Sequence, residues 1–382
     1  MESKEPRQSD LHFMQRALRL ASETTALTSP NPQVGCVLVR EGSVLGEGAH
    51  LYDNYDHAEI VALKQASAHG HSVKGATAYV TLEPCSHHGR TGPCADALVA
   101  AGIARCVVAT TDPNPLVSGR GIEKLRAANI EVTIGVLQQP ARDLNEAFAH
   151  FMLTRTPFVT LKAALSSDGK LAPPPASRFP NQPYWLTGSA ARHEVQRLRH
   201  ASDAILTGIG TVLADDPQLT DRSGLPRRRP LLRVVLDTHL RTPLASQLVR
   251  SANRDLLILT SASAPSAKIA ELTSEGVEVE TIPEHAGRLS LPAVLATLAE
   301  HKILSVLLEG GSHLNGAFLR QNLVDKAVLF YAETELGDPA IPFAHGIESP
   351  FDFEGSLQRV TRKNFGSDTC VTGYLHDPWP EP

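Results

Sequence analysis

Cysteine is scarce, with five in 382 residues: Cys36, Cys85, Cys94, Cys106 and Cys370. An odd, widely spaced set excludes a secreted disulfide framework and suits a reducing compartment, so a cytoplasmic protein is expected. An excess of positive charge is also missing, since 36 Lys and Arg stand against 41 Asp and Glu for a formal net charge of -5. That balance gives no general attraction to polyanions, and the aromatic residues, at 5%, form no stripe with basic ones. Nucleic acid is therefore not an expected partner. No apolar run approaches membrane-spanning length, and the opening MESKEPRQSD lacks the apolar core of a signal peptide, so no membrane partner is expected either. The Gly-x-Gly-x-x-Gly fingerprint of dinucleotide binding is absent as well. Small molecules remain as the expected ligands.

At 382 residues the chain is too long for one hydrophobic core, and its 42% apolar residues suffice for two. Apolar periodicity predicts helices over 11–24, 57–68, 94–101, 121–128 and 142–154, with strands over 34–39, 44–49, 78–82, 106–110 and 132–135. This alternation reads as a three-layer α/β/α sandwich. A second strand series begins at Phe158, just past Thr156-Pro157, with strands near 204–207, 231–237, 256–260 and 303–308 and helices near 190–200 and 291–301. Two α/β domains, 1–155 and 156–382, are expected. Two biased stretches, Ala172-Pro-Pro-Pro-Ala176 and Pro226-Arg-Arg-Arg-Pro230, read as exposed loops, and the arginine run is assigned no role.

Chemistry concentrates in the first half. His57-Ala58-Glu59 precedes Glu83-Pro84-Cys85, and Cys94 follows after eight residues, giving three metal-competent ligands: His57, Cys85 and Cys94. Structural zinc is normally closed by four protein ligands, whereas catalytic zinc keeps a place for water and makes hydroxide available at neutral pH. One Zn2+ per chain is expected. Glu59 falls in the first turn of the helix that His57 opens, near enough to shuttle protons without ligating the metal. Cys94 opens a helix whose positive end favours a thiolate, and Cys85 is read as ending a strand. A plainer reading makes Asp56 and Glu59 a capping box and the cysteines small apolar residues. His-x-Glu followed by Pro-Cys and a further Cys is the zinc deaminase signature, although its usual cysteine spacing is shorter.

The segment Cys85-Ser-His-His-Gly-Arg-Thr-Gly-Pro-Cys94 resembles the corresponding loop of the bifunctional pyrimidine deaminase/reductase family of bacterial riboflavin biosynthesis. So do Pro30-Asn-Pro-Gln-Val-Gly-Cys36, Gly75-Ala-Thr-Ala-Tyr-Val-Thr-Leu-Glu-Pro-Cys85 and Asp112-Pro-Asn-Pro-Leu-Val-Ser-Gly-Arg-Gly121. The resemblance implies a cytidine-deaminase-like domain acting on a diaminopyrimidinone that carries a ribosylamino 5′-phosphate, with the amine at C2 replaced by oxygen. It also implies substrate contacts at Asn31, His50, His87 and Arg90, an amide suiting the pyrimidine edge and histidine or arginine a phosphate. One departure is Asp56, where the family has proline before the zinc histidine.

In the second half, Leu161-Lys-Ala-Ala-Leu-Ser-Ser-Asp-Gly-Lys170, Thr207-Gly-Ile-Gly-Thr-Val-Leu-Ala-Asp-Asp-Pro217 and the cluster Glu309-Gly-Gly-Ser312 are similar to the family's reductase domain. That likeness implies a dihydrofolate-reductase-like α/β fold, NADPH as cofactor, and reduction of the ribosyl to a ribityl side chain. Cofactor contacts are implied at Ala164, Trp185, Thr211, Asp215, Thr238 and the turn Gly311, Ser312, His313, Leu314, Asn315, Gly316 and Ala317. Substrate contacts are implied at Arg199, Leu219, Arg222 and Glu309, with Lys162 near the reacting carbon. Arg199 and Arg222 offer bidentate, permanently charged donors to a phosphate. The proline-rich run before Trp185, with Pro183 in place of a small hydroxyl residue, leaves open a deaminase whose second half no longer reduces, and a purely structural zinc module is a further alternative. A homo-oligomer acting on a phosphorylated pyrimidine is expected.

Overall fold

A computed structural model describes residues 7–87, 92–115, 117–177, 184–347 and 349–380. The chain divides into two compact units, the break falling between Arg155 and Thr156.

The first unit runs α1 (Gln8–Ser22), β1 (Gly35–Arg40), β2 (Ser43–Ala49), α2 (Ala58–Ala68), β3 (Thr77–Val80), α3 (Cys94–Ala100), β4 (Arg105–Val108), α4 (Arg120–Ala127), β5 (Glu131–Ile134), α5 (Gln138–Leu144) and α6 (Glu146–Thr154). Its five strands order as β2-β1-β3-β4-β5, with β1 antiparallel to both neighbours and β3, β4 and β5 parallel. Strand alternation sends Val37, Val39, Tyr79 and Val107 to one face, where Phe13, Met14, Ala17 and Leu18 of α1 and Ala141 of α5 cover them. Helix α2 packs on β1 and β2, and α3 packs against α2 and α4. Close approach places α2: its buried Ala58, Ala62 and Ala66 lie on Gly46 and Gly48 of β2, where a Cβ would come within 2.4 Å of Ala62 O and 2.7 Å of Ala58 O. Any side chain there would push the helix, and the residues at its start, off the sheet.

A single helix over 142–154 is corrected to two. Asn145 breaks it, because its amide accepts from Gln33 N at 2.7 Å and donates to Gln33 O at 3.0 Å. Cys85 does not end a strand: β3 stops at Val80, and Thr81 to Pro84 continue as a loop.

The second unit contains β6 (Phe158–Leu165), β7 (Lys170–Ala172), α7 (Ser189–Ala201), β8 (Ala204–Gly208), α8 (Ile209–Asp215), β9 (Leu232–Leu236), α9 (Gln247–Arg250), β10 (Leu256–Thr260), α10 (Ser266–Ser274), β11 (Glu278–Thr281), β12 (Glu284–His285) and β13 (Arg288–Leu289). It continues with α11 (Leu291–Glu300), β14 (Ser305–Leu308), α12 (Ser312–Arg320), β15 (Lys326–Tyr331), β16 (Ile341–Pro342), α13 (Pro350–Glu354), β17 (Gln358–Phe365) and β18 (Asp368–Tyr374). A nine-stranded sheet orders as β11-β10-β9-β8-β14-β6-β15-β18-β17. It is parallel from β11 to β15, and β18 and β17 close it as an antiparallel hairpin. Helices α11 and α12 pack on one face and α8, α9 and α10 on the other, each against its own apolar cluster. Because the chain leaves β8 for β9 on one side and returns later as β14 on the other, the carboxyl ends of these strands open a crevice.

The arginine run is not a solvated loop. The Arg227 guanidinium donates to Arg199 O at 3.1 Å, His200 O at 2.8 Å, Ser202 O at 2.8 Å and Asp221 Oδ2 at 3.1 Å. It caps the C-terminal carbonyls of α7, which the helix itself leaves unpaired.

Candidate active sites

In the first unit, His57 caps the N-terminus of α2 with extended backbone, and Cys94 is the first residue of α3. The Nδ1 atom of His57 lies 3.2 Å from Cys94 Sγ and 3.5 Å from Cys85 Sγ, and the three ligand atoms fall within 4.8 Å of one another. Tetrahedral zinc with bonds of about 2.0 to 2.3 Å separates its ligand atoms by about 3.6 to 3.8 Å, so this nitrogen–sulfur–sulfur set fits the ion. Among the described residues no fourth His, Cys, Asp or Glu joins the group, which leaves one coordination position to a substrate or water. The first amide of α3, Cys94 N, donates to Cys85 Sγ at 3.2 Å. Hydrogen bonds from Cys94 and His57 hold the Cys85 thiol well below its ordinary range.

Glu59 is 3% exposed in the first turn of α2. Burial, then the neighbouring Cys85, pushes its carboxyl up to about 7. The capping-box alternative does not hold, because no side-chain bond caps α2 and the Asp56 carboxylate pairs with Lys64 at 2.6 Å.

His50, expected as a contact able to hold phosphate, is only 3% exposed and uses both ring nitrogens. Nδ1 stands 2.9 Å from the Asp56 carbonyl and Nε2 3.0 Å from Asn31 Nδ2. A carbonyl only accepts, so Nδ1 carries the proton and Nε2 accepts from the Asn31 amide. Burial holds the imidazole below its ordinary pKa, which suits this neutral tautomer. His50 therefore orients Asn31, an amide in the Pro30–Gln33 turn that Asn145 anchors. His87 is exposed at the start of the cysteine loop, and Arg90 lies outside the described residues.

In the second unit a cavity of about 1520 Å³ occupies the crevice. Ala164, Thr211, Asp215, Thr238, Gly311, Ser312, His313, Leu314 and Ala317, for which the resemblance implies cofactor contacts, line it. The Ser312 hydroxyl, at the first position of α12, is buried in this wall with no hydrogen-bond partner among the described residues, where the helix N-terminus also favours an anion. These features fit a dinucleotide phosphate.

Two members of that turn point elsewhere. Asn315 is fully buried and donates to Phe343 O at 3.1 Å, and Gly316 abuts the His345 backbone, so both hold the turn rather than line the cavity. Trp185 lines a smaller adjoining cavity of about 440 Å³ with Lys162, Arg199, Arg222 and Glu309, and the Arg192 guanidinium lies 5.1 Å from its ring centre. Leu219 has its side chain in the core under α8, leaving only its backbone for a ligand.

Where the two cavities meet, Arg199 grips Glu309 with two bonds of 2.8 and 3.0 Å, and Lys162 Nζ stands 3.8 Å away. Burial opposes the charge of Glu309, but Arg199 and Lys162 outweigh it and hold the carboxyl at about 2. Burial lowers the Lys162 pKa, and Glu309 only partly offsets it.

Comparison with known proteins places this architecture. Residues 7–110 match the cytidine and deoxycytidylate deaminase zinc-binding region, and residues 157–371 match the RibD C-terminal domain. The class is thus a zinc-type deaminase joined to a reductase domain. The riboflavin biosynthesis protein RibD of Aquifex aeolicus is 39% identical over 367 residues, 96% of this chain and 98% of that protein. Its counterpart from Escherichia coli is 41% identical, covering 87% and 89% of the respective chains. The solved structure of Acinetobacter baumannii RibD superposes with a TM-score of 0.81 at 38% identity, over 96% of this chain and 99% of that one. The Thermotoga maritima diaminohydroxyphosphoribosylaminopyrimidine deaminase/5-amino-6-(5-phosphoribosylamino)uracil reductase gives 0.81 at 33% identity, covering 96% and 98%. The chain belongs to the RibD family of riboflavin biosynthesis, bifunctional enzymes with a cytidine-deaminase-like domain followed by a dihydrofolate-reductase-like one.

Proposed function

We propose that the first unit converts 2,5-diamino-6-(5-phosphoribosylamino)pyrimidin-4-one to the aminouracil by hydrolytic deamination, and that the second reduces its ribosyl group to ribityl with NADPH. The observation that carries the first step is the open His57, Cys85 and Cys94 set with a buried carboxyl beside it. Zinc, when bound, supplies the Lewis acidity that makes hydroxide available at neutral pH. Glu59 takes one proton from water and delivers it to the ring nitrogen next to C2, then takes the second from the hydroxyl now on C2 and passes it to the amine, which leaves as ammonia as the C2 carbonyl forms. Asn31, held in one orientation by His50, offers its amide to the pyrimidine edge.

In the second unit Arg222 holds the phosphate, Arg199 keeps Glu309 and the Thr220 carbonyl in place beside it, and NADPH, when bound, supplies the hydride for the sugar C1. Lys162, buried where the two cavities meet, is placed to give the proton that the opened sugar oxygen takes. The same Glu309–Lys162–Arg199 arrangement supports a working reductase over the inactive second half that the proline-rich run left open.

The test is Glu59→Gln in the zinc-loaded chain. Ammonia release from the diaminopyrimidinone should fall about 10²- to 10⁴-fold while zinc stays at one per chain. Normal turnover by that variant contradicts the mechanism.

A further inference from the structure

Glu83 is a carboxylate with 6% exposure in the loop that leads from β3 to Cys85, and neither reaction described above uses it. Its hydrogen-bond donors are backbone amides. Oε2 accepts from Asp112 N at 3.2 Å and Gly119 N at 2.9 Å, and Oε1 accepts from Gly121 N at 2.9 Å and Ile122 N at 3.3 Å. The last two belong to the first turn of α4, whose N-cap residue is Gly119, in a left-handed conformation at φ 81° and without a side chain to cap with. A carboxylate from another part of the chain therefore does what Asp or Ser does locally at other helices, and its charge meets the positive end of the helix.

The contact is also a steric fit. A Cβ at Gly121 would lie 1.9 Å from the Pro84 carbonyl oxygen, so α4 docks its bare backbone on the residue before Cys85. Asp112 begins the segment so anchored, and its carboxyl lies close enough to His87 and Cys85 for each to act on its charge. Charge-assisted bonds to several amides are strong and directional, and here they join the loop that leads to the metal ligand Cys85 to Asp112 and the start of α4.

We propose that Glu83 is a positioning residue of the deaminase, clasping Asp112, Gly119 and the first turn of α4 against the Pro84–Cys85 backbone and so fixing Asp112 beside the metal ligand. The proposal rests on the deaminase reading above. It acts through the loop and touches no reacting atom.

The experiment uses the full zinc-loaded chain with Glu83→Gln, whose amide can no longer accept at both atoms. We expect KM for the diaminopyrimidinone to rise and kcat/KM to fall about 10- to 100-fold, the scale of a misplacement of about 1 Å. Zinc stays at one per chain, reduction of supplied deaminated intermediate is unchanged, and the amides of Gly119, Gly121 and Ile122 exchange hydrogen faster. Unchanged kinetics with unchanged exchange overturns the proposal. Activity restored in full by added zinc also overturns it, since Glu83 would then serve metal retention. If Glu83→Gln does not fold, Gly121→Ala forces the same docking apart and must give the same pattern. Should the wild-type chain release no ammonia from this pyrimidine, the functional reading fails, while exchange at these amides still decides whether the clasp exists.

Discussion

Replacing Glu309 with Gln isolates one charge at the junction of the two reductase cavities. The carboxylate is held at about 2 against an ordinary 4.5, although burial alone would raise it, because Arg199 and Lys162 stand beside it. At 1.36 kcal/mol per unit the difference corresponds to roughly 3 kcal/mol of stability. Its side chain is only 13% exposed, so solvent screening takes little from that figure. The sign follows from a depressed carboxylate: the contribution is complete above pH 4.5 and disappears as the pH falls through about 2. Gln also leaves two buried cations facing each other. Urea unfolding followed by tryptophan fluorescence is the assay, since both tryptophans, Trp185 and Trp379, lie in the second unit. We expect the variant to lose about 3 kcal/mol at pH 7 and the gap to wild type to close toward pH 2. A loss below about 1 kcal/mol, or a gap unchanged by acid, refutes the electrostatic reasoning.

Arg227→Gln removes the cap of α7 and slackens the loop bearing Arg222; KM for the phosphorylated intermediate should rise several-fold while ammonia release is untouched, as steady-state assays of both reactions will show. Asp10→Asn should destabilise the first unit by about 1 to 3 kcal/mol, because the Arg105 guanidinium loses the carboxylate it holds with bonds of 2.7 and 2.8 Å and keeps only Glu131 at 3.3 Å and Thr133 at 2.9 Å. The bond from Arg105 holds the Asp10 carboxyl below its ordinary value of 3.8, so this advantage exists above that pH and fades below it; thermal inactivation of ammonia release across pH measures it.

The metal ligands were legible because zinc chemistry restricts residue type and because His57 and Cys94 both stand at helix starts, where local sequence is informative. The buried parallel strands β6, β8, β9, β10 and β14 announced themselves as apolar runs, whereas β15 was not anticipated and β11, Glu-Val-Glu-Thr at the sheet edge, carries no such run. The β17–β18 hairpin did not: β17 is exposed along nearly its whole length, and no alternation marks it. The roles of Arg227 and Glu83 were hidden for another reason. Apart from Asp221 beside Arg227, their partners are backbone carbonyls and amides brought from 25 to 39 residues away, which carry no side-chain signal. His50, which the resemblance implies as a substrate contact, is buried with both ring nitrogens engaged, one of them on Asn31, an arrangement that the sequence does not display.

The central claim is that one chain performs two consecutive steps on one precursor. The direct measurement is to supply the diaminopyrimidinone phosphate to the zinc-loaded protein, with and without NADPH, and identify the products by mass. Without NADPH the account predicts ammonia and the ribosylamino uracil alone; with it, the ribitylamino uracil and an equal amount of NADP+. Appearance of the ribosylamino uracil under both conditions would contradict the assignment of the second unit, and recovery of unchanged precursor would contradict the whole.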